Sequence, residues 1–594
     1  MEIRDRELNF LKDKWRFLLV GLVFIAGALL IVGPALFSEP RTVVGHENSD
    51  VWSHLWGFWW VKDTVSSGGS FFDIPWRTEL INYPKGGILY FIDLMNATLS
   101  IPLQHFVSVE TSYNLLIGFE VFLLGVAGYL LGSDFSKSRT GGLASGLLLQ
   151  MSPFILGEIH NGISEVINVS WCLIYIHFLL TLERDRWRPP VAGVALFLSF
   201  MGNWYFGLSS LIVTALYLVW KEGRGLVRFW KNPFCRRLCL ALAVAFLLTA
   251  PMASRFYSSI NHTDSIVKRS KIPDKYVFLN EHNLSDVLNY VRWDGRTPPD
   301  LKLKFNSNYL HLCTLGPLAL MLAVLGSRKK KKDRGFWWLV IGVFFVLSAG
   351  AYFYIDNSFV RIGTKPVKLP FYYLSLIFPP IALISHPHRF SFFVITAVAV
   401  LAGRGMKRVT DRVKSGIPRL IAAICILAVL IAEAVLLSAA PFPMSTSRLE
   451  LPAFYGKLSG IQGAPRALID LPMAFDPFIL NNRYFYYQIY HRMPIPYTLN
   501  DPLATYISAL ENNCFTLNIH GIEYQQYRSG ERTFYREELI QAGLKKLRED
   551  GFGHILLHRD YYQREVSFEN LRNYLTRYLG NPMIQTERFM VFAL

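Results

Sequence analysis

The chain has 594 residues, of which 52% are hydrophobic, 15% are aromatic and only 18% are charged. This apolar composition excludes an ordinary soluble enzyme and indicates an α-helical, multi-pass membrane protein. The formal net charge of +17 does not indicate a nucleic-acid partner, because the basic residues form short clusters between apolar runs, as topology signals do.

Apolar runs of about 20 residues, the length that crosses a bilayer, recur along the chain up to residue 440. We place about eleven transmembrane helices near 17–36, 112–132, 141–158, 166–183, 191–203, 206–220, 237–253, 309–327, 336–354, 390–404 and 418–440. The pair 191–203 and 206–220 is hinged at Gly202-Asn203. A further apolar run, 371–385, contains Pro379-Pro380, so we expect it to be re-entrant or interfacial.

An odd number of spans places the two termini on opposite sides of the membrane. The basic run Arg328–Lys332 and the basic N-terminus then both face the cytoplasm. The first span, 17–36, lacks a small-x-small cleavage pattern, and we interpret it as a retained signal anchor. The sequence therefore predicts a multi-pass protein of the cytoplasmic (inner) membrane with its N-terminus inside.

This topology gives a transmembrane domain, 1–440, with outer loops 37–111, 254–308 and 355–389, and an extracytoplasmic α/β domain, 441–594. The α/β prediction rests on strands at 467–472, 554–558 and 589–594 and helices at 537–549 and 568–579. The tail shows no nucleophile elbow and no paired-acid motif, so we expect it to be a lid or an acceptor-recognition module.

The segments predicted to be cytoplasmic are all short, and no Gly-rich phosphate loop occurs between a strand and a helix. Any chemistry is therefore expected on the outer face, where ATP and nucleotide sugars are generally absent. A membrane-borne activated donor is the natural alternative.

Asp50 lies just beyond the first span, where the chain leaves lipid for water. Trp52, Trp56, Trp59 and Trp60 follow on a predicted helix. Because indole rings favour the headgroup layer, we expect this helix to lie flat on the membrane. An acid in this place suits a lipid-tethered substrate, and a solvated loop acid before an interfacial anchor would give the same pattern.

Further polar residues occur where spans meet the outer face, namely His160, Asn161 and Glu165, then Asn203, Trp204 and Tyr205, then Arg255, and then His386, His388 and Arg389. The guanidinium of Arg389 beside two imidazoles suits a phosphate or pyrophosphate. The loop 160–165 is so short that it must lie against the first outer segment. The alternatives are solvated loops, snorkelling arginines and an interfacial aromatic belt. Glu120, inside the second span, receives no role.

The order of these features resembles the GT-C superfamily of polyprenyl-phosphate-dependent glycosyltransferases, and within it the bacterial group related to family-39-type and YfhO-like membrane proteins. The matching stretches are Asp50 to Trp60, Asn82 to Gly86, Ser152 to Asn161, Leu284 to Tyr290 and His388 to Gly403. In that superfamily the acid of the first outer loop is the catalytic base, a role that the resemblance gives to Asp50. His46 and Glu47 are secondary candidates, although Glu47 is three residues from Asp50 rather than two.

The resemblance, which the placement of these residues supports, implies an inverting transfer of a sugar from a polyprenyl-phosphate donor to a glycan, lipid or protein acceptor. Asp50 would deprotonate the acceptor hydroxyl. Arg389, with His388 or Arg255, would stabilise the departing phosphate. The loop residues His160, Asn161 and Glu165 and the aromatic pair Trp204 and Tyr205 complete the predicted substrate site.

No cofactor is expected, and no metal-type spacing of His and Cys occurs, so we predict metal independence. Most of the six cysteines fall within or beside apolar runs, which argues against a disulfide framework. Two other functions fit the composition. One is a lipid or polysaccharide transporter, although no internal repeat supports it, and the other is a non-catalytic protein of envelope assembly.

Overall fold

The computed structural model describes residues 2–68, 77–89, 93–223, 232–261, 285–292, 310–328, 332–356, 358–378, 381, 384, 386–451, 454–455, 467–473, 479–497, 510, 513–524, 535–562 and 565–594. It contains two compact units. The first comprises Met1–Val51, Asp93–Ser254 and Ser270–Arg448, and the second comprises Trp52–Ile92, Arg255–Arg269 and Leu449–Leu594. Most of the predicted outer loop 254–308 lies outside the described residues.

The first unit is predominantly helical. Its helices are Glu2–Leu36, Leu94–Leu103, Val109–Ser136, Arg139–Gln150, Pro153–His160, Ser164–Ile167, Ser170–Leu180, Arg188–Gly202, Trp204–Glu222, Pro233–Asn261 (which enters the second unit at Arg255), Pro317–Ser327, Lys332–Ser348, Pro370–Ile377, Ser391–Thr410 and Ile417–Leu436. Single 3₁₀ turns occur at Val287–Tyr290 and Pro387–Phe390. Antiparallel strand pairs join Val43–Val44 to Thr446–Ser447, Tyr354–Ile355 to Ser358–Phe359, and Arg361–Ile362 to Lys365–Pro366.

Seven helices in the described part of the chain are long and apolar enough to cross a membrane. They are Phe17–Leu36, Val109–Ser136, Arg139–His160, Trp204–Glu222, Pro233–Arg255, Pro387–Thr410 and Ile417–Leu436, and each matches a predicted span. The predicted spans 166–183, 191–203, 309–327 and 336–354 correspond to shorter helices. The multi-pass helical architecture is confirmed, and the count of eleven crossings stays a prediction.

Glycines allow two of these helices to cross at backbone contact. Where Pro317–Ser327 meets Ser391–Thr410, a Cβ on Gly326 would collide with the carbonyl of Leu401, and one on Gly405 would collide with the facing backbone. Small residues permit this approach in lipid, where the hydrophobic effect does not drive helices together. The crossing fixes the helix whose N-terminal end carries the candidate phosphate-binding residues.

The second unit contains the small α/β domain that the sequence predicts. Its sheet has the spatial order Ile584–Gln585, Phe589–Ala593, Phe552–His558 and Ala467–Leu471, with only the last pair parallel. The helices are Val51–Ser66, Ile479–His491, Cys514–Tyr524, Glu537–Glu549 and Glu565–Leu579, accompanied by a 3₁₀ turn at Arg559–Tyr561 and the strand pair Arg77–Thr78 and Gly87–Ile88. Each predicted strand and helix of the tail is present, with its ends within a few residues.

The tryptophans that follow the first span are core residues of the second unit, which corrects the expectation that they lie in the headgroup layer. Trp52 and Trp56 are fully buried. The indole N–H of Trp56 donates to Oε1 of Gln488 at 2.7 Å, and the ring of Trp52 packs 5.0 Å from that of Tyr486. An aromatic stripe at helical spacing is buried equally well by protein, and here the helix Ile479–His491 supplies the partner surface.

Candidate functional site

The loop 160–165 lies against the segment that holds Asp50, as its length predicts. The backbone N–H of Asp50 donates to the carbonyl of Asn161 at 3.1 Å, and that of His46 donates to the carbonyl of His160 at 2.9 Å. The imidazoles of His46 and His160 lie 5.2 Å apart. Asp50 is half-buried beside this loop.

Gly162 makes this contact possible. Its φ of +70° lies in the left-handed region, which glycine adopts without strain. A Cβ at this position would lie 2.6 Å from the backbone nitrogen of Val51 and 2.8 Å from Oγ of Ser49. A larger residue would therefore push the loop away from the Asp50 segment.

The remaining loop residues have defined neighbours. Nδ1 of His160 lies 3.0 Å from Oγ of Ser445. Both ends of the Asn161 amide pair with the backbone of Leu310, at 3.0 Å and 2.7 Å. Asn161 therefore positions the segment that contains His311. The sequence predicts only a substrate-binding role for Asn161 and gives no sign of this structural contact. Glu47 is exposed to solvent.

Arg389 is the buried cation of this region, with 6% of its surface exposed. Its guanidinium lies over the ring of Tyr205 at 5.2 Å, and Trp204 meets that ring edge-on at 4.4 Å. Nη2 of Arg389 is 3.9 Å from Oε1 of Glu165. Among the described residues, Nε of Arg389 has no hydrogen-bond partner. A buried N–H donor without a partner is unusual and favours an anionic ligand.

The buried hydroxyl of Tyr113 lies within electrostatic range of the carboxylates of Asp50, Asp93 and Glu165. Since Glu165 also faces Arg389, the predicted base and the predicted phosphate ligand share neighbours in one cluster.

A second cluster surrounds His388. Its Nε2 lies 2.9 Å from Oε1 of Glu158, and its ring lies 4.2 Å from that of His311. Burial and the charge of Arg389 hold the pKa of His386 well below its usual value. Glu158, His311 and His388 offer donor atoms that all lie within 4.8 Å of one another.

Sequence reasoning missed Glu158, His311 and Asp93. Asp93 is 1% exposed and caps the helix Leu94–Leu103, where it accepts hydrogen bonds from the backbone and side chain of Asn96. An acid directly before a helix is a recognisable N-cap signal. No local signal identifies His311, because its neighbours come from distant parts of the sequence.

Two further residues remain, Glu120 and Arg255. Glu120 accepts hydrogen bonds from the Ser170 hydroxyl at 2.5 Å and the Trp171 indole at 3.2 Å, so neighbouring side chains satisfy this intramembrane acid. Arg255 is exposed on the helix Pro233–Asn261, in the part assigned to the second unit. Its predicted contact with phosphate stays a prediction.

No protein-family model and no curated protein sequence matches this chain. Among solved structures it is similar to the arabinofuranosyltransferase AftD from Mycobacteria, with a TM-score of 0.56 and 11% identity over 98% of this chain. The chain spans 40% of the length of AftD. The chain is also similar to ArnT from Cupriavidus metallidurans, with a TM-score of 0.45 and 13% identity over 96% of this chain and 97% of ArnT. For the oligosaccharyltransferase of Archaeoglobus fulgidus the TM-score is 0.44, with 12% identity over 91% of this chain and 69% of that protein. The likeness to AftD covers nearly the whole chain, and we conclude that this protein shares the fold of that arabinofuranosyltransferase.

Proposed function

We propose that this protein transfers a sugar from a polyprenyl-phosphate donor to an acceptor hydroxyl on the outer face of the membrane. The observation that carries the proposal is the buried guanidinium of Arg389, whose Nε has no hydrogen-bond partner among the described residues and whose Nη2 lies 3.9 Å from Glu165. Tyr113 lies within electrostatic range of both Glu165 and Asp50. An anion-binding group and a candidate base therefore belong to one cluster. The fold shared with a solved arabinofuranosyltransferase supports the same class of reaction.

Arg389 suits the phosphate of the donor. An arginine keeps its charge even when buried, and its fork of N–H groups matches phosphate oxygens. The Glu165 contact at 3.9 Å is too long for a tight bidentate pair, so donors of the guanidinium remain for a ligand. Stacking on Tyr205 holds the guanidinium plane in place.

Asp50 would act as the general base. Its carboxylate takes the proton of the acceptor hydroxyl, and the hydroxyl oxygen forms a bond to the anomeric carbon. The bond between that carbon and the phosphate oxygen breaks, and polyprenyl phosphate leaves with the electron pair. A single displacement inverts the anomeric configuration. Arg389 stabilises the charge that develops on the leaving phosphate.

The direct test uses the purified full chain in proteoliposomes with radiolabelled polyprenyl-phosphate pentose or hexose donors and a panel of glycan, lipid and peptide acceptors. We expect labelled acceptor and free polyprenyl phosphate to appear in equal amounts, with an inverted linkage by NMR. Movement of intact donor across the vesicle membrane without transfer would instead identify a transporter and contradict the proposal.

A further inference from the structure

We infer that Glu158, His311 and His388 form a binding site for one divalent transition-metal ion, with Zn²⁺ as the first candidate. The three side chains come from the helix Pro153–His160, from the segment after Leu310 and from a 3₁₀ turn. Each offers one ligand atom, and these atoms all lie within 4.8 Å of one another.

The geometry requires little movement to receive an ion. Zn²⁺ binds imidazole nitrogen and carboxylate oxygen at about 2.0–2.2 Å, so donors in a tetrahedral shell stand roughly 3.4 Å apart. The Glu158–His388 pair is already at 2.9 Å, and the widest pair would close by at most about 1.4 Å. The proton shared by that pair would leave on metal binding.

The three ligands are held by contacts outside the site. Asn161 fixes the backbone of Leu310, directly before His311, through two hydrogen bonds. The ring of Phe154 packs 6.0 Å from that of His388. Such support orients ligands before an ion arrives, which is the usual role of the groups behind a metal site.

The alternative is a metal-free ion pair between Glu158 and His388, which would leave two potential metal-ligating atoms without a partner among the described residues. Nδ1 of His311 and Oε2 of Glu158 are buried, and neither has a hydrogen-bond partner among the residues that the structure describes. Buried polar atoms without partners are rare in native proteins. A cation would use a lone pair from each of the three side chains. The donor set of two imidazoles and one carboxylate favours Zn²⁺ over Mg²⁺, which prefers oxygen ligands.

The site has a consequence for the reaction, which rests on the proposed function. Arg389 directly follows His388, so an ion at this position would hold the residue next to the candidate phosphate ligand. Glu165 already faces Arg389, and the added charge of the ion would strengthen the attraction for a phosphate. His388 would then be a positioning residue for Arg389.

The test measures metal binding to the full-length protein in detergent, with any affinity tag removed, and it needs neither donor nor acceptor. After chelation, the protein is titrated with Zn²⁺, followed by elemental analysis, and with Co²⁺, followed by its visible absorption. We expect about one ion per chain and intense Co²⁺ bands of tetrahedral type. Glu158→Gln, His311→Gln and His388→Gln should each weaken binding by at least about tenfold.

His177→Gln is the matched control. His177 is also buried beside a carboxylate, at 3.4 Å from Asp134, but no third ligand lies there among the described residues. It should retain the ion. His311 is the least buried of the three ligands, so His311→Gln is the variant most expected to fold. Zn²⁺ should raise the Tm of the wild-type protein but not that of His311→Gln. Absence of a stoichiometric ion in folded wild-type protein, or equal loss in His177→Gln, would overturn the site. Because the metal-binding assay uses no sugar donor or acceptor, its result can be interpreted even if the proposed transferase activity is not found.

Discussion

Arg389 is the residue whose environment most favours a phosphate. Removing it in Arg389→Ala should weaken donor binding and lower the transfer rate by about 10²–10³-fold, the usual loss when a buried donor to a developing oxyanion is deleted. Arg389→Lys should recover only part of the activity, because an ammonium group lacks the planar fork. Steady-state kinetics with a labelled donor would measure both effects.

The matched control is Arg404→Ala. Arg404 lies on the helix Ser391–Thr410, which directly follows the 3₁₀ turn that carries Arg389, and it covers the ring of Phe135 at 5.3 Å, much as Arg389 covers Tyr205 at 5.2 Å. If Arg404→Ala reduced donor affinity as strongly as Arg389→Ala, the effect would come from lost packing rather than from a phosphate contact.

Single residues differ in how well the sequence revealed them. Arg389 and His388 are adjacent in the chain, so their spacing alone suggested an anion site. Glu158 and His311 meet only in the folded chain, because the pairing of Asn161 with Leu310 brings distant segments together. No periodicity encodes such a contact, and for this reason the sequence offered no metal-ligand pattern.

At the scale of elements, the contact of the loop 160–165 with the Asp50 segment depends on Gly162. Gly162→Ala should lower the unfolding temperature and the transfer activity, because its Cβ would stand 2.6 Å from the nitrogen of Val51. We expect a loss of stability of about 1–3 kcal/mol, typical of backbone strain with a steric conflict. Gly363→Ala controls for the strain of placing alanine at a positive φ, since Gly363 has a φ of +64° but nothing within 4 Å of its Cβ position. Equal losses in both variants would contradict the proposed close contact.

The helix Cys514–Tyr524 carries a pH-dependent contact in the second unit. Burial raises the pKa of Glu523 to about 8, although the Tyr562 hydroxyl and the backbone N–H of Met473 donate to it. The unfolded carboxyl titrates near 4.5, so between that value and pH 8 the folded state binds the extra proton. Stability should therefore fall as pH rises through this window.

Glu523→Gln should remove this dependence. The variant should have a higher Tm than wild type at pH 9 and little or no such gain at pH 4.5, where the native carboxyl is protonated. Thermal unfolding of the full chain at the two pH values tests this. A difference in Tm that is the same at both values would show that the carboxyl does not titrate in this range.

Secondary structure was predicted best where a single physical signal dominates. Long apolar runs gave the seven helices of membrane-spanning length, and the amphipathic spacing of 537–549 gave a helix with the observed ends. The helix Val51–Ser66 shows what such a signal cannot predict, namely which surface covers the helix. Its tryptophans have the same spacing whether lipid or protein covers them, and only the structure reveals the partner Ile479–His491.

At the scale of the whole molecule, the orientation in the membrane is a direct consequence of the proposed site. A periplasmic-type reporter, such as an alkaline phosphatase, fused after Leu594 should be active, and one fused within 328–332 should be inactive, because the basic run there favours the cytoplasm. The reverse pattern would place Asp50 on the cytoplasmic side and remove the argument for a lipid-linked donor.

The role of Asp50 as the base of a sugar transfer is tested most directly by the turnover of the Asp50→Asn variant. Asn has the shape of the carboxylate but cannot accept the proton, so donor binding and Tm should be preserved while turnover falls by about 10²–10⁴-fold. Asp411→Asn, at an exposed aspartate 3.8 Å from Arg419, serves as the control and should keep wild-type turnover. Full activity of Asp50→Asn with the labelled polyprenyl-phosphate donor would contradict the assignment.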